Sequence, residues 1–264
     1  MSTLRKFSPW LLLFGCYGAD AQDAKQVVQQ AVNAEINASR NDHTHWMFHE
    51  SDRKPKDDVV QWVIGTSKGS VTRVLSRNGQ KTTEAQQRKE VYDFIHDSSA
   101  QAKQHQSDQR DDKQAEDLLK LLPVAFFWTQ TSKGAETTVL HFKPDPNFDP
   151  PNREARVFSA MEGDMTVNND QHRIQSLKGQ LIRDVTFGGG LLGRLKQGGS
   201  FSVERRQLEH GIWQITATHV NIQGHALLFK SISEQEDDEK SLFERQPDNI
   251  TLEQAATAVM SKKQ

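Results

Sequence analysis

Between residues 163 and 233 short segments that alternate apolar and polar side chains follow one another at near-regular spacing. Leu177, Leu181, Val185 and Phe187 form one such set, Phe201 and Val203 a second, and Trp213, Ile215 and Ala217 a third. Asn168-Asn169-Asp170, Gly198-Gly199 and His210-Gly211 punctuate them. A period of two with turn residues between the runs is the pattern of an antiparallel meander, each strand showing one apolar and one polar face. The apolar face of such a sheet has to be covered by helices, by an apolar ligand or by both.

The N-terminus predicts where the chain works. Arg5 and Lys6 precede the apolar stretch Trp10-Leu11-Leu12-Leu13-Phe14, and Ala19-Asp20-Ala21 has the small-x-small form of a secretory cleavage site. Residues 1–21 therefore read as a signal peptide of an exported, periplasmic protein. The stretch is too short to span a bilayer, which takes about 20 apolar residues. Cys16 is the single cysteine and lies inside this leader. Cleavage after Ala21 leaves no disulfide, thiolate metal site or cysteine nucleophile. The competing reading is a lipoprotein signal, Leu13-Phe14-Gly15-Cys16, with Cys16 acylated as a membrane anchor.

A formal charge of -2 over 264 residues, with no basic cluster, gives no footprint for nucleic acid or an anionic membrane surface. The apolar residues, 35% of the chain, have to be concentrated to form a core. Residues 24–40 place Val27, Val28, Ala31, Val32 and Ile36 at helical spacing. Residues 43–49, 59–66 and 71–76 predict three strands. Residues 83–122 are charged, Gln-rich and free of glycine, with Thr83 and Gln86 spaced as a capping box and Pro123 just beyond, and so predict an inserted helical section. Its middle, residues 98–113, has almost nothing to bury and reads as a solvated helical hairpin or as a disordered stretch. Strand pattern returns at 124–130 and 137–142. The cluster Pro144, Pro146, Pro150 and Pro151 is the one candidate boundary between halves, although strands on either side fit one continuous sheet equally. Residues 153–161 predict a short helix, 234–240 an acidic loop, and Thr251 the cap of a last helix.

Few motifs carry chemistry. Gly188, Gly190 and Gly193 match G-x-G-x-x-G, but no helix long enough to receive a pyrophosphate follows, so they read as a sharp turn in a sheet. On a strand His43, His45 and His49 would share one face, opposite Trp46 and Phe48. They are the best candidates for a metal and otherwise a polar outer face. The carboxylate pairs Asp57/Asp58, Asp111/Asp112 and Asp237/Asp238 read as surface. No nucleophile elbow, zincin helix or phosphate loop occurs, and no serine, histidine and aspartate can be grouped by spacing. The expectation is a protein that is not an enzyme, with no cofactor and no resident metal.

The segments Met161-Glu-Gly163-Asp-Met-Thr-Val-Asn168, Ile174-Gln-Ser-Leu-Lys-Gly179, Val185-Thr-Phe-Gly188 and Gly198-Gly-Ser-Phe-Ser-Val-Glu204 resemble the exported half-barrel proteins of the LolA-like superfamily. That group includes lipoprotein carriers, lipid-binding lipoproteins and envelope-stress sensors. The resemblance implies an α+β fold: a strongly curved, unclosed antiparallel half-barrel wrapped around helices, one domain over residues 22–264 with the insertion at about 83–122. It also implies a hydrophobic concavity for lipid or lipoprotein acyl chains, used in lipoprotein sorting or lipid transfer with transient membrane contact. Trp62, Val185, Phe187, Leu191, Leu192, Phe201, Trp213, Ile215 and Phe229 are the expected lining. The alternative is an interaction or envelope-stress sensor module whose cavity is filled by its own side chains and whose helical insertion docks an envelope protein.

Overall fold

The computed structural model describes residues 17–190, 193–226 and 235–263. Its fold is α+β. Chain order is α1 (Tyr17–Asn41), β1 (His45–Lys54), β2 (Asp57–Thr66), β3 (Gly69–Arg77), β4 (Gln80–Lys81), α2 (Glu84–His96), α3 (Ser98–Ala125), β5 (Phe126–Lys133), β6 (Thr137–Pro144) and α4 (Arg153–Phe158). There follow β7 (Met161–Asn168), β8 (Ile174–Leu181), β9 (Val185–Phe187), β10 (Gly193–Leu195), β11 (Ser200–Glu209), β12 (Ile212–Asn221), β13 (Gly224–Ala226), β14 (Gln235–Gln246) and α5 (Leu252–Ser261).

Eleven strands form one open antiparallel sheet in the order β4-β3-β2-β1-β14-β12-β11-β8-β7-β6-β5. β9, β10 and β13 form a small separate sheet. Strands before and after the proline cluster share the large sheet, so that cluster is a connection within one sheet. Gly188 and Gly189, with φ of 54° and 64°, turn the chain between β9 and β10, a conformation that favours glycine.

Two apolar cores lie on opposite faces. Directly paired residues share a face, and the register links Leu140, Met165, Leu177, Val203, Thr218, Asp238, Asp52 and Val59 in one row. Leu140 and Met165 belong to the first core, where α1 lays Ala24, Val28, Ala31 and Val32 against Phe126, Trp128 and Phe142. Trp62 lies three positions from Val59 and therefore on the other face. There Met47, Trp62, Ile64 and Val71 pack against Val91 of α2 and Leu252, Ala255 and Val259 of α5. Below, the face of the first core is called inner.

The polar insertion is ordered by side chains that satisfy backbone groups. The Thr83–Gln86 capping box starts α2, and Asp97 then caps two helices at once. Its N–H bonds Phe94 to end α2, and its carboxylate accepts from Ser99 and Ala100 N–H to begin α3. Gln104 anchors α3 to β3 by accepting from Ser70 N–H at 2.7 Å and donating to Ser70 C=O at 3.3 Å. Residues 98–113 are accordingly a solvated helix. Pro123 lies inside α3, near its end. The Leu122 carbonyl beside it accepts from the Trp128 indole at 2.8 Å, so the helix ends without a buried orphan there.

Residues 235–240 correct the sequence reading most sharply. They are no loop but the start of β14, held between β1 and β12. Two of their carboxylates, Glu236 and Asp237, are matched by cations and a histidine on the flanking strands. Arg53 reaches Asp237 at 3.3 Å, Lys54 reaches Glu236 at 3.1 Å, and His219 bonds Asp237. The expected helix over 24–40 extends back to Tyr17 and includes residues 19–21 of the expected cleavage site. The apolar stretch at 10–14 and Cys16 lie outside the described residues. Among the described residues no helix is long and apolar enough to cross a membrane.

Candidate functional site

The outer face of the central strands carries a continuous polar row. Strand pairing places His141, Asp164, Lys178, Ser202, His219, Asp237 and Arg53 side by side on β6, β7, β8, β11, β12, β14 and β1. Neighbouring strands are about 4.8 Å apart, so the row runs for roughly 29 Å across the sheet. Adjacent charges join along it. His141 Nδ1 is 2.9 Å from Asp164 and its Nε2 is 3.2 Å from Glu162, while Lys178 reaches Glu204 at 2.7 Å. The hydrogen bond from Lys178, followed by its charge, holds the Glu204 carboxyl below its ordinary value, and His219 adds to the effect.

All of this row except Arg53 lines an open trough of about 690 Å³, which Glu162, Gln180, Asn221 and Glu236 and the apolar Ile182, Phe201 and Val220 line as well. Of the charged residues lining it, Glu162, Asp164, Glu236 and Asp237 are acidic and Lys178 is the one lysine. Lys143, Lys54 and Arg53 pair with Glu162, Glu236 and Asp237 from beside the trough at 3.5, 3.1 and 3.3 Å, so part of this acidic excess is already matched.

The inner face of the same strands is apolar at one side and charged at the other. Asp52 and Asp238 face each other across β1 and β14, and one carboxylate oxygen of each is buried without a hydrogen-bond partner. Lys54 bridges Asp52 at 2.6 Å and Glu236 at 3.1 Å, and Lys240 bridges Asp238 at 3.1 Å and Glu50 at 3.5 Å. Burial pushes the Asp238 carboxyl up. Lys240 opposes this, and Glu50 and Asp52 reinforce it. Burial works against the charged form of Lys54, but its bonds to Asp52 and Glu236 outweigh that and raise its pKa. Asp238 is thus a buried residue, and the reading of the Asp237/Asp238 pair as mere surface is corrected.

The expected lining residues that are described do not all share one face. Trp62 is in the second core on the outer face. Val185 and Phe187 are packed into the first core from the small sheet. Phe201 and Trp213 lie on the inner face. The Phe201 ring covers Gly179, where a Cβ would come within 2.8 Å of it, and the Trp213 indole donates to Gln171 at 2.9 Å. Ile215 shares that face but is 40% exposed. Leu191, Leu192 and Phe229 lie outside the described residues.

Of the three histidines that sequence grouped, His43 precedes β1, and only His45 and His49 lie on the strand. Their face is no polar outer face. Met47 between them is in the second core, and the His49 ring packs edge-on against Trp62 with centroids 5.4 Å apart. The convergent set among the described residues is His219, Asp237 and Glu239, whose ligand atoms lie within 4.8 Å of one another. Sequence could not show it, because its members come from β12 and from a segment that reads as a loop. No family model and no curated protein matches the chain.

Proposed function

We propose that the protein is a non-enzymatic binding module of the cell envelope, with its apolar cores filled by its own side chains and its outer trough open to a cationic partner. One observation carries this reading: Trp62 is packed into the second core and Val185 and Phe187 into the first, on the opposite face, whereas the outer trough presents Glu162, Asp164, Asp237, His141 and His219 beside an apolar part of its wall. Packed interiors leave few voids larger than a water molecule. Binding strength then comes from charge and hydrogen bonds rather than from buried methylenes.

A short oligolysine peptide is the probe. It should bind the exported form with an affinity that falls as salt rises, and Glu162→Lys with Asp164→Lys should abolish that binding. Salt-independent binding, or equal binding by the charge-reversed variant, would sink the reading.

A second reading, an acyl-chain carrier, is supported by the eleven-stranded unclosed antiparallel sheet, one part of the curved half-barrel around helices that the LolA-like resemblance implies. A strong curvature fits the facing glycines of β7 and β8, since a Cβ on Gly163 would fall 1.9 Å from Lys178 O. Register shifts in β1/β14, β2/β3 and β11/β12 add to it. On that reading the inner face holds the chain beside Phe201, Trp213 and Ile215, and export follows from the leader.

A further inference from the structure

We propose that His219, Asp237 and Glu239 form a binding site for a divalent transition cation of the zinc class. One imidazole nitrogen and two carboxylates within 4.8 Å of one another supply three ligands, leaving further positions for water or a ligand group. A nitrogen and oxygen donor set without sulfur suits zinc, manganese or iron better than calcium.

The backbone fixes the arrangement before any ion arrives. His219 and Asp237 are direct partners across β12 and β14, and Glu239 pairs with Ala217, two residues along the same strands and so on the same face. Both strands are interior to the sheet, flanked by β11 and β1. Ordering the ligands therefore costs side-chain freedom alone. His219 and Asp237 already touch, and Asp237 is oriented from its other side by Arg53 at 3.3 Å. Glu239 is exposed and enters no ion pair among the described residues, so it is available to close the set.

Glu204 pairs with Ala217 across β11 and β12, in the row of Glu239, but its carboxylate is taken by Lys178 at 2.7 Å, so Asp237 and Glu239 are the carboxylates the site offers an ion. Arg53 competes with a cation for Asp237, which makes it the residue that sets affinity. The second histidine of the trough, His141, lies between Glu162 and Asp164 but does not join a three-ligand set, and it serves as the internal comparison. This site stands or falls independently of the cationic partner proposed above, because an ion alone tests it.

The experiment titrates Co²⁺, followed by its visible absorption, and Zn²⁺, followed by calorimetry, into the full chain carrying no histidine tag. One equivalent should bind. His219→Ala and Glu239→Gln should each weaken binding by tenfold or more, while His141→Ala leaves it unchanged and Arg53→Gln tightens it several-fold. Circular dichroism of each variant shows whether the sheet is intact. If His219→Ala fails to fold, Glu239→Gln carries the test, since its side chain is exposed. Absence of binding to the intact chain, or binding that survives both Glu239→Gln and His219→Ala, would overturn the proposal.

Discussion

Arg173 grips Glu35 through two parallel hydrogen bonds, Nε to Oε1 and Nη2 to Oε2, each 3.0 Å long. The pair ties α1 to the residue just before β8. Glu35 also accepts from Ile174 N–H at 2.7 Å and pairs with Arg205 of β11, so one buried carboxylate joins the helix to two strands. Burial pushes its pKa up, but the hydrogen bonds and charges of the two arginines outweigh that and leave it below its ordinary value.

Glu35→Gln should therefore be strongly destabilising, by about 3–5 kcal/mol, because it leaves a buried arginine uncompensated. Urea unfolding at neutral pH measures it. The pH dependence has a definite sign. The folded-state pKa is depressed, so the carboxylate's contribution is fully present above the unfolded value and is lost as pH falls through the folded one. Glu35→Gln should lack that component of acid destabilisation.

Arg73 performs the same office for α5. It donates to Gln87 at 2.8 Å and to the carbonyls of Val259, Met260 and Lys262 at the helix end. Arg73→Met should cost about 2–3 kcal/mol by stranding those acceptors. Hydrogen exchange should locate the loss in α5, and uniform loss of protection across the sheet would contradict this assignment.

Asp238→Asn probes the buried carboxylate pair. Because the folded-state pKa of Asp238 is raised, its ionised form penalises the folded state above that pKa. Lowering the pH through it should stabilise the wild type relative to Asp238→Asn. Unfolding curves of both proteins measured across the acid range test the sign.

Phe187→Ala should cost about 3–5 kcal/mol, as expected for a fully packed aromatic, whereas Ile215→Ala should change stability by less than about 1 kcal/mol. Phe187 is 3% exposed and Ile215 40%. Similar costs at the two positions, measured by denaturant unfolding, would contradict the division of these residues between core and surface.

Local signals were legible in the sequence wherever one segment carried them. The capping box at Thr83, the cap at Thr251 and the apolar stripe of α1 all name their own helices. The strand runs at 59–66 and 71–76 likewise match β2 and β3 to within two residues. What sequence could not show is chemistry assembled across strands. β14 reads as a loop because Gln235 to Lys240 are polar throughout, and it is a strand because β1 and β12 supply Arg53, Lys54 and His219 to its carboxylates. The polar row and the His219 cluster depend on that placement. The opposite faces of Trp62 and Phe201 depend on the register of four strand pairs beyond the reach of local periodicity.

The most direct test of the self-filled core is native mass spectrometry, with lipid extraction, of the protein purified without detergent. A self-filled core gives an apo mass and no uptake of added fatty acids or phospholipids. A stoichiometric acyl-chain adduct would contradict it and establish the carrier reading instead.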